Sequence, residues 1–246
     1  MKKMFIFAEG ATHIDISADK YQDSFTLAEV LITLGIIGIV AAMTLPSVIN
    51  NSRNKQLEAG LKRSYSVIGQ ALDMHQAQSG ERATSGNLET NELKTILMKY
   101  LQVIEDCGFG AQDVNSACIP NTNSSGLPRK YKTYNGQKDI NMSLFDDGQF
   151  VLNDGSLVLI ENYRATGRLY VSVDVNGYNK KPNRLGHDLF MFQINDKGTL
   201  LPMGAPNAYY RNSDQYCSQS SPNVLNGAGC TYKALNDKDY FKNLPK

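Results

Sequence analysis

Residues 24–46 read SFTLAEVLITLGIIGIVAAMTLP. Within them, 25–45 form a run of 21 residues whose single ionisable side chain is Glu29. A helix rises 1.5 Å per residue, so about 20 apolar residues cross the roughly 30 Å hydrocarbon core of a bilayer. A buried core helix would carry a polar stripe, and this segment has none. The chain therefore holds one membrane-crossing helix, and the polar sequence after it belongs to a separate folded body.

On the amino side, residues 1–24 carry Lys2, Lys3 and Lys20 against Glu9, Asp15, Asp19 and Asp23. An ordinary secretory signal has a basic start, an apolar stretch of about 7–15 residues and a small-residue cleavage site after it. Here the apolar run is too long, and its pattern continues. Beyond Pro46, Leu57, Leu61, Tyr65, Ile68 and Leu72 recur every three or four residues, one face of an amphipathic helix. Gly60 and Gly69 weaken that helix by roughly 1 kcal/mol each. The spacing predicts helix as far as Gln78, with Gly80 as the stop.

The segment resembles the prepilin cleavage and methylation motif of type IV pilins and of the pseudopilins of type II secretion systems. Phe25 stands at the new terminus, Glu29 at its fifth position, then an apolar run, then Pro46. The resemblance covers the first helix only. It implies a leader peptide (1–24) that a membrane peptidase removes between Ser24 and Phe25, methylating the freed amine. It further implies a transmembrane or filament-core helix (25–45), its amphipathic continuation (46–80) and a globular head outside the cytoplasm (81–246). The fold implied is α+β, a long helix packed on a small antiparallel sheet. The implied partners are the prepilin peptidase/methylase, other pilin or pseudopilin subunits, an inner-membrane assembly platform and the lipid bilayer. One departure is clear: the family usually has Gly before the cut, where this chain has Ser24 at the end of a long, rather acidic leader.

Physical chemistry bears on the same residues. An intramembrane carboxylate costs up to roughly 3 kcal/mol on insertion scales. Cleavage creates a cationic amine, which at about 4 Å and an effective dielectric near 20 attracts a carboxylate by about 4 kcal/mol before desolvation. Glu29 is thus expected to pair with the Phe25 amine of its own or a neighbouring subunit. The alternative is a glutamate snorkelling to the interface. Pro46 removes the hydrogen bond to the Ala42 carbonyl and kinks or ends the helix. Gly38 and Ala42 have the small-xxx-small spacing that lets membrane helices approach closely. The flanking charges conflict with the rest. Arg53, Lys55, Lys62 and Arg63 follow the span and, by the positive-inside rule, would place the carboxyl part inside; the cysteines and the resemblance place it outside.

In the remainder, 81–93 is polar and loop-like, and 91–103 predicts a short helix with Leu93, Ile96, Leu97 and Leu101 on one side. From Ser143, short apolar runs punctuated by Asp-Gly signal hairpins. Residues 169–175 (LYVSVDV) alternate as a half-buried strand does, and 189–194 (LFMFQI) form another. An antiparallel sheet of four or five strands is expected against the apolar helix face.

Four cysteines allow three connectivities. Local pairing, Cys107 with Cys118 and Cys217 with Cys230, closes loops worth roughly 3 kcal/mol each, and disulfides imply an oxidising compartment. The second pair resembles the carboxyl-terminal disulfide loop of many type IV pilins. Asp174, Asn176, Asn183 and Asp188 cluster oxygen ligands of the kind that suit Ca2+, the one cofactor the sequence suggests; the alternative is that they build turns between two strands. Major pseudopilins resemble this in carrying a calcium loop near the carboxyl end.

Composition excludes other classes. With 25 basic and 24 acidic residues and a net charge of +1, nothing supports a protein that wraps nucleic acid. A mean hydropathy of −0.35 excludes a polytopic membrane protein. His13, His75 and His187 accompany no G-x-S-x-G, P-loop or dinucleotide motif, so the chain reads as an enzyme's substrate rather than an enzyme. The two functional readings are a filament subunit and a singly anchored extracellular binding or sensor domain that never polymerises.

Overall fold

The structure is a computed structural model, and it describes residues 26–109, 117–119 and 131–245. The expected leader, the cut at Ser24 and the new terminus at Phe25 lie outside those residues. The chain divides into two compact units, Met1–Ser47 and Val48–Lys246.

The described part of the first unit is helix. Helix α1 (Leu27–Ser79) is 53 residues long and carries Pro46 inside it rather than at its end. Its side chains from Leu27 to Leu45 are exposed apart from the half-buried Ala41.

In the second unit α1 becomes amphipathic. Leu57, Leu61, Ser64, Ile68, Ala71 and Leu72 are buried, and half-buried Tyr65 stacks on Phe192 with ring centroids 5.6 Å apart. The helix stops where the sequence places the stop. Gly80 takes φ 81°, a left-handed value that suits glycine, and its N–H donates to the Gln76 carbonyl at 2.9 Å.

That face packs on a six-stranded antiparallel meander in sequence order: β1 (Val103–Asp106), β2 (Gly148–Leu152), β3 (Leu157–Glu161), β4 (Tyr170–Asp174), β5 (Leu189–Ile194) and β6 (Leu200–Pro202). A meander needs only short turns, and the Asn/Asp/Gly content supplies them. Between β2 and β3, Asp154 Oδ1 accepts from the Ser156 amide at 3.0 Å, and Gly155 takes φ 83°. Strand faces alternate between two cores. Val158, Ile160, Val171, Val173, Phe190 and Phe192 meet α1 and α2 (Glu92–Tyr100). Leu157, Leu159, Tyr170, Leu189 and Met191 meet a second core beneath the loops and the carboxyl-terminal segment. That segment holds two short helices, α3 (Ser213–Tyr216) and α4 (Cys230–Asn236).

Four expectations need correcting. The helix expected over 91–103 ends at Tyr100, and Val103–Asp106 is a strand pairing with β2. The SLF run at 143–145 contributes to a 3-10 turn, Met142–Leu144, rather than a strand. The sheet has six strands, because the three-residue β6 carries too little pattern to be seen. Strand β4 is buried along its whole length rather than half-buried: its polar-looking positions, Ser172 and Asp174, face the second core.

Candidate functional site

The amino end of α1 is built by Thr26 and Glu29. The Thr26 amide and hydroxyl both donate to Glu29 Oε2, each at 2.8 Å, and the Glu29 amide donates back to the Thr26 hydroxyl at 3.3 Å. This is a reciprocal capping box, which satisfies amide donors that a helix start otherwise leaves open. The partner expected for Glu29, Phe25, lies outside the described residues, and the partner found is Thr26. The S/T-x-x-E spacing was the available signal. From Glu29 onward the helix shows exposed Leu31, Ile32, Ile36, Ile37, Ile39 and Val40, an apolar surface of the kind a bilayer or neighbouring helices would cover. One helix in the described residues, α1, is long and apolar enough to cross a membrane.

The cysteines pair locally: Cys107 with Cys118 and Cys217 with Cys230. The first loop is tied to the sheet by Lys94 of α2. This lysine is 1% exposed, pairs with Asp106 and sits 4.2 Å above the Phe109 ring.

The loop between β4 and β5 brings together Asp174, Asn176, Asn183 and Asp188. Asp174 and Asp188 are fully buried. Every oxygen of both carboxylates accepts a hydrogen bond. Asp174 Oδ1 takes the amides of Asn176 and Gly177 at 3.2 and 2.9 Å, and its Oδ2 takes the Tyr131 hydroxyl at 2.5 Å. Asp188 takes the amides of Asn183 and Arg184, each at 2.7 Å. Burial pushes both carboxyls up, and the nearby Asp174 charge pushes Asp188 further. The turn-building role of these residues is therefore visible in the structure. The amide oxygens differ, since Asn176 Oδ1 and Asn183 Oδ1 are buried with no hydrogen-bond partner. Such orphans are rare and expensive.

A second acidic group was not seen in the sequence. Asp146, Asp147 and Glu161 hold carboxylate oxygens within 4.8 Å of one another. Two full charges at that distance repel by about 3.5 kcal/mol at an effective dielectric near 20. Glu161 is 4% exposed at the end of β3. Burial, then Asp147 and Asp146, push its carboxyl up to about 8, so it stays protonated and hydrogen-bonds to Asp147. The Asp146-Asp147-Gly148 run reads locally as a hairpin turn, and what no local pattern reveals is the register that sets Glu161 beside it.

The histidines form no catalytic set among the described residues. His187 is buried with Nε2 2.9 Å from the Tyr134 carbonyl, and burial then Arg184 lower its pKa to about 4. It does not share the hydrogen bonds of Asp188. His75 is half-buried beside the Tyr100 ring.

A comparison with family models matches residues 19–45 to the prokaryotic N-terminal methylation motif, the signature of type IV pilins and pseudopilins. No curated protein and no solved structure matches the chain. The motif supports a pilin-like precursor that prepilin peptidase processes, with a membrane-anchoring helix. Proteins carrying the motif are structural subunits rather than enzymes.

Proposed function

We propose that this chain is a pilin-like subunit, cut between Ser24 and Phe25 and assembled through α1 into a type IV pilus or a type II secretion pseudopilus. The observation that carries the reading is the methylation motif at 19–45, set on a 53-residue helix whose first half is bare and apolar and whose second half packs on the sheet. The head lies outside the cytoplasm, where both disulfides are stable. Removal from the membrane exchanges lipid for the helices of neighbouring subunits, an exchange that needs close packing and a paired Glu29. The chain itself catalyses nothing. Mass spectrometry of membrane-extracted protein tests this reading. A chain beginning at Phe25 with one added methyl group is expected, together with filaments that contain it. A chain retaining residues 1–24, or one cut and methylated yet never polymerised, contradicts the assembly reading; the second result favours an anchored binding domain.

The β4–β5 loop fits a calcium ion, and we infer that Asp174, Asn176, Asn183 and Asp188 hold it. The two orphaned amide oxygens favour this over turn-building alone. Their neighbours are two buried carboxylates, the type of set that hard divalent ions select. A bound ion would neutralise the pair and tie the two ends of the loop together.

A further inference from the structure

This inference rests on the anchored reading above. Where α1 leaves its apolar stretch, Val48 and Ile49 are still exposed. The next two turns enter a cavity of about 370 Å³ lined by Asn51, Asn54, Lys55, Glu58, Lys238, Phe241 and Lys242. Lys55 lies six residues, about 9 Å along the helix, beyond Ile49, the last exposed large apolar side chain of that stretch, and its long stem lets the ammonium reach back toward phospholipid headgroups.

The cavity is held by tertiary contacts. Asn54 Nδ2 donates to the Phe241 carbonyl at 2.5 Å, pinning the carboxyl-terminal segment to α1, and buried Phe241 forms the floor. The acid that lines it and the two beside it are engaged. Glu58 pairs with Lys62 at 2.5 Å, Asp239 pairs with Lys242 at 2.7 Å, and Asp237 accepts the Asp239 amide at 2.9 Å. Among the described residues, Lys55 and Lys238 have no carboxylate within ion-pair distance. On another side of the same turns, Arg53 donates to the Lys181 carbonyl and so brings Lys180 and Lys181 alongside. This end of the head thus gathers seven cationic residues, Lys62 and Lys242 among them, against the three acids Glu58, Asp237 and Asp239.

We propose that this pocket binds the phosphate headgroup of an anionic phospholipid in the bilayer that α1 spans, with Lys55 and Lys238 as the contacting cations and Phe241 beneath. The bound lipid holds the head against the membrane until assembly withdraws the subunit. Each basic side chain at an anionic lipid surface is worth about fivefold in affinity, so the two together give a preference of about 25-fold.

The test uses the full chain in detergent, incubated with equal amounts of phosphatidylglycerol and phosphatidylcholine and read by native mass spectrometry. Wild type is expected to retain phosphatidylglycerol about 25-fold over phosphatidylcholine. Lys55→Gln/Lys238→Gln brings the ratio near one, Lys55→Arg/Lys238→Arg keeps it, and Lys138→Gln/Lys197→Gln, at exposed positions outside the pocket, leaves it unchanged. Equal retention by wild type, or an undiminished preference in the Gln pair, overturns the proposal. Displacement of the lipid by millimolar inorganic phosphate also overturns it and makes the site one for soluble phosphate. Carbonate extraction from vesicles separates the two levels of inference. A chain that stays in the membrane without lipid preference refutes only this site, whereas a chain that washes off refutes the anchored reading and this one with it.

Discussion

Glu161→Gln should make the head more stable at alkaline pH and leave it unchanged in acid. In the folded chain the Glu161 carboxyl is raised from 4.5 to about 8. Between those values the native state binds a proton that the unfolded state has released, so stability falls as pH rises through the window. At 1.36 kcal/mol per unit, the full shift sets a ceiling of about 5 kcal/mol. Asp146 and Asp147 are only half-buried, and solvent screens them, which brings the expected loss to about 2–3 kcal/mol. Glutamine keeps the shape, can donate to Asp147 as the protonated acid does, and never ionises. Thermal melts of the full chain in detergent, followed by near-ultraviolet circular dichroism of the tyrosines, provide the assay. Wild type and variant should coincide at pH 5. At pH 9 the variant should melt about 5–10 °C higher. Parallel pH profiles, or a variant less stable at pH 9, would refute the idea that this cluster stores a proton.

Three further outcomes follow from the other sites. Glu29→Ala should abolish filament assembly, whereas Thr26→Val, which loses only a cap worth about 1 kcal/mol, should reduce it no more than about fivefold; equal loss in both, measured by sheared-filament yield, would make capping the main role of Glu29. Calcium should raise the melting temperature relative to chelator in wild type, and Asn183→Ser should remove that difference; identical wild-type melts with and without chelator would eliminate the ion. Cys217→Ser/Cys230→Ser should cost about 3 kcal/mol in denaturant titrations, and an unchanged midpoint would mean that the contacts of α4, including the Thr231 hydroxyl bond to the Met191 amide at 3.0 Å, hold this segment alone.

Legibility followed the range of the interactions. The face of α1 from Leu57 to Leu72, its stop at Gly80 and strand β5 at Leu189–Ile194 are written in local periodicity and turn chemistry, which a sequence displays directly. The β4–β5 loop was also readable as a group, since Asp174, Asn176, Asn183 and Asp188 lie within fifteen positions. What escaped depends on partners far along the chain. Strand β1 exists because β2 pairs with it across a gap of over forty residues, and β6 is three residues long. Ser172 and Asp174 looked solvent-facing because alternation marks two faces of a strand without saying what covers each. The acidic cluster joins positions 146–147 to 161 through the β2–β3 hairpin, so its raised carboxyl is a product of register rather than of motif.

The charges after the membrane segment gain a reason from the fold. Arg53, Lys55, Lys62 and Arg63 weigh against a translocated head by simple counting. Yet Arg53 holds the Lys181 carbonyl, Lys62 pairs with Glu58, and Arg63 reaches Asp154 at 2.9 Å in the β2–β3 turn. Three of the four are therefore fasteners between α1 and the rest of the second unit, or along α1 itself, and a cation needed for folding is retained even where insertion disfavours it. Orientation rules weigh such residues as free charges near a bilayer. Two disulfides bear on the question more directly, because they favour an oxidising compartment whatever the flanking charge and so support the proposed orientation. Lys55 is the one cation of the four that none of these pairings explains, and it is the one that lines the pocket between α1 and the carboxyl-terminal segment.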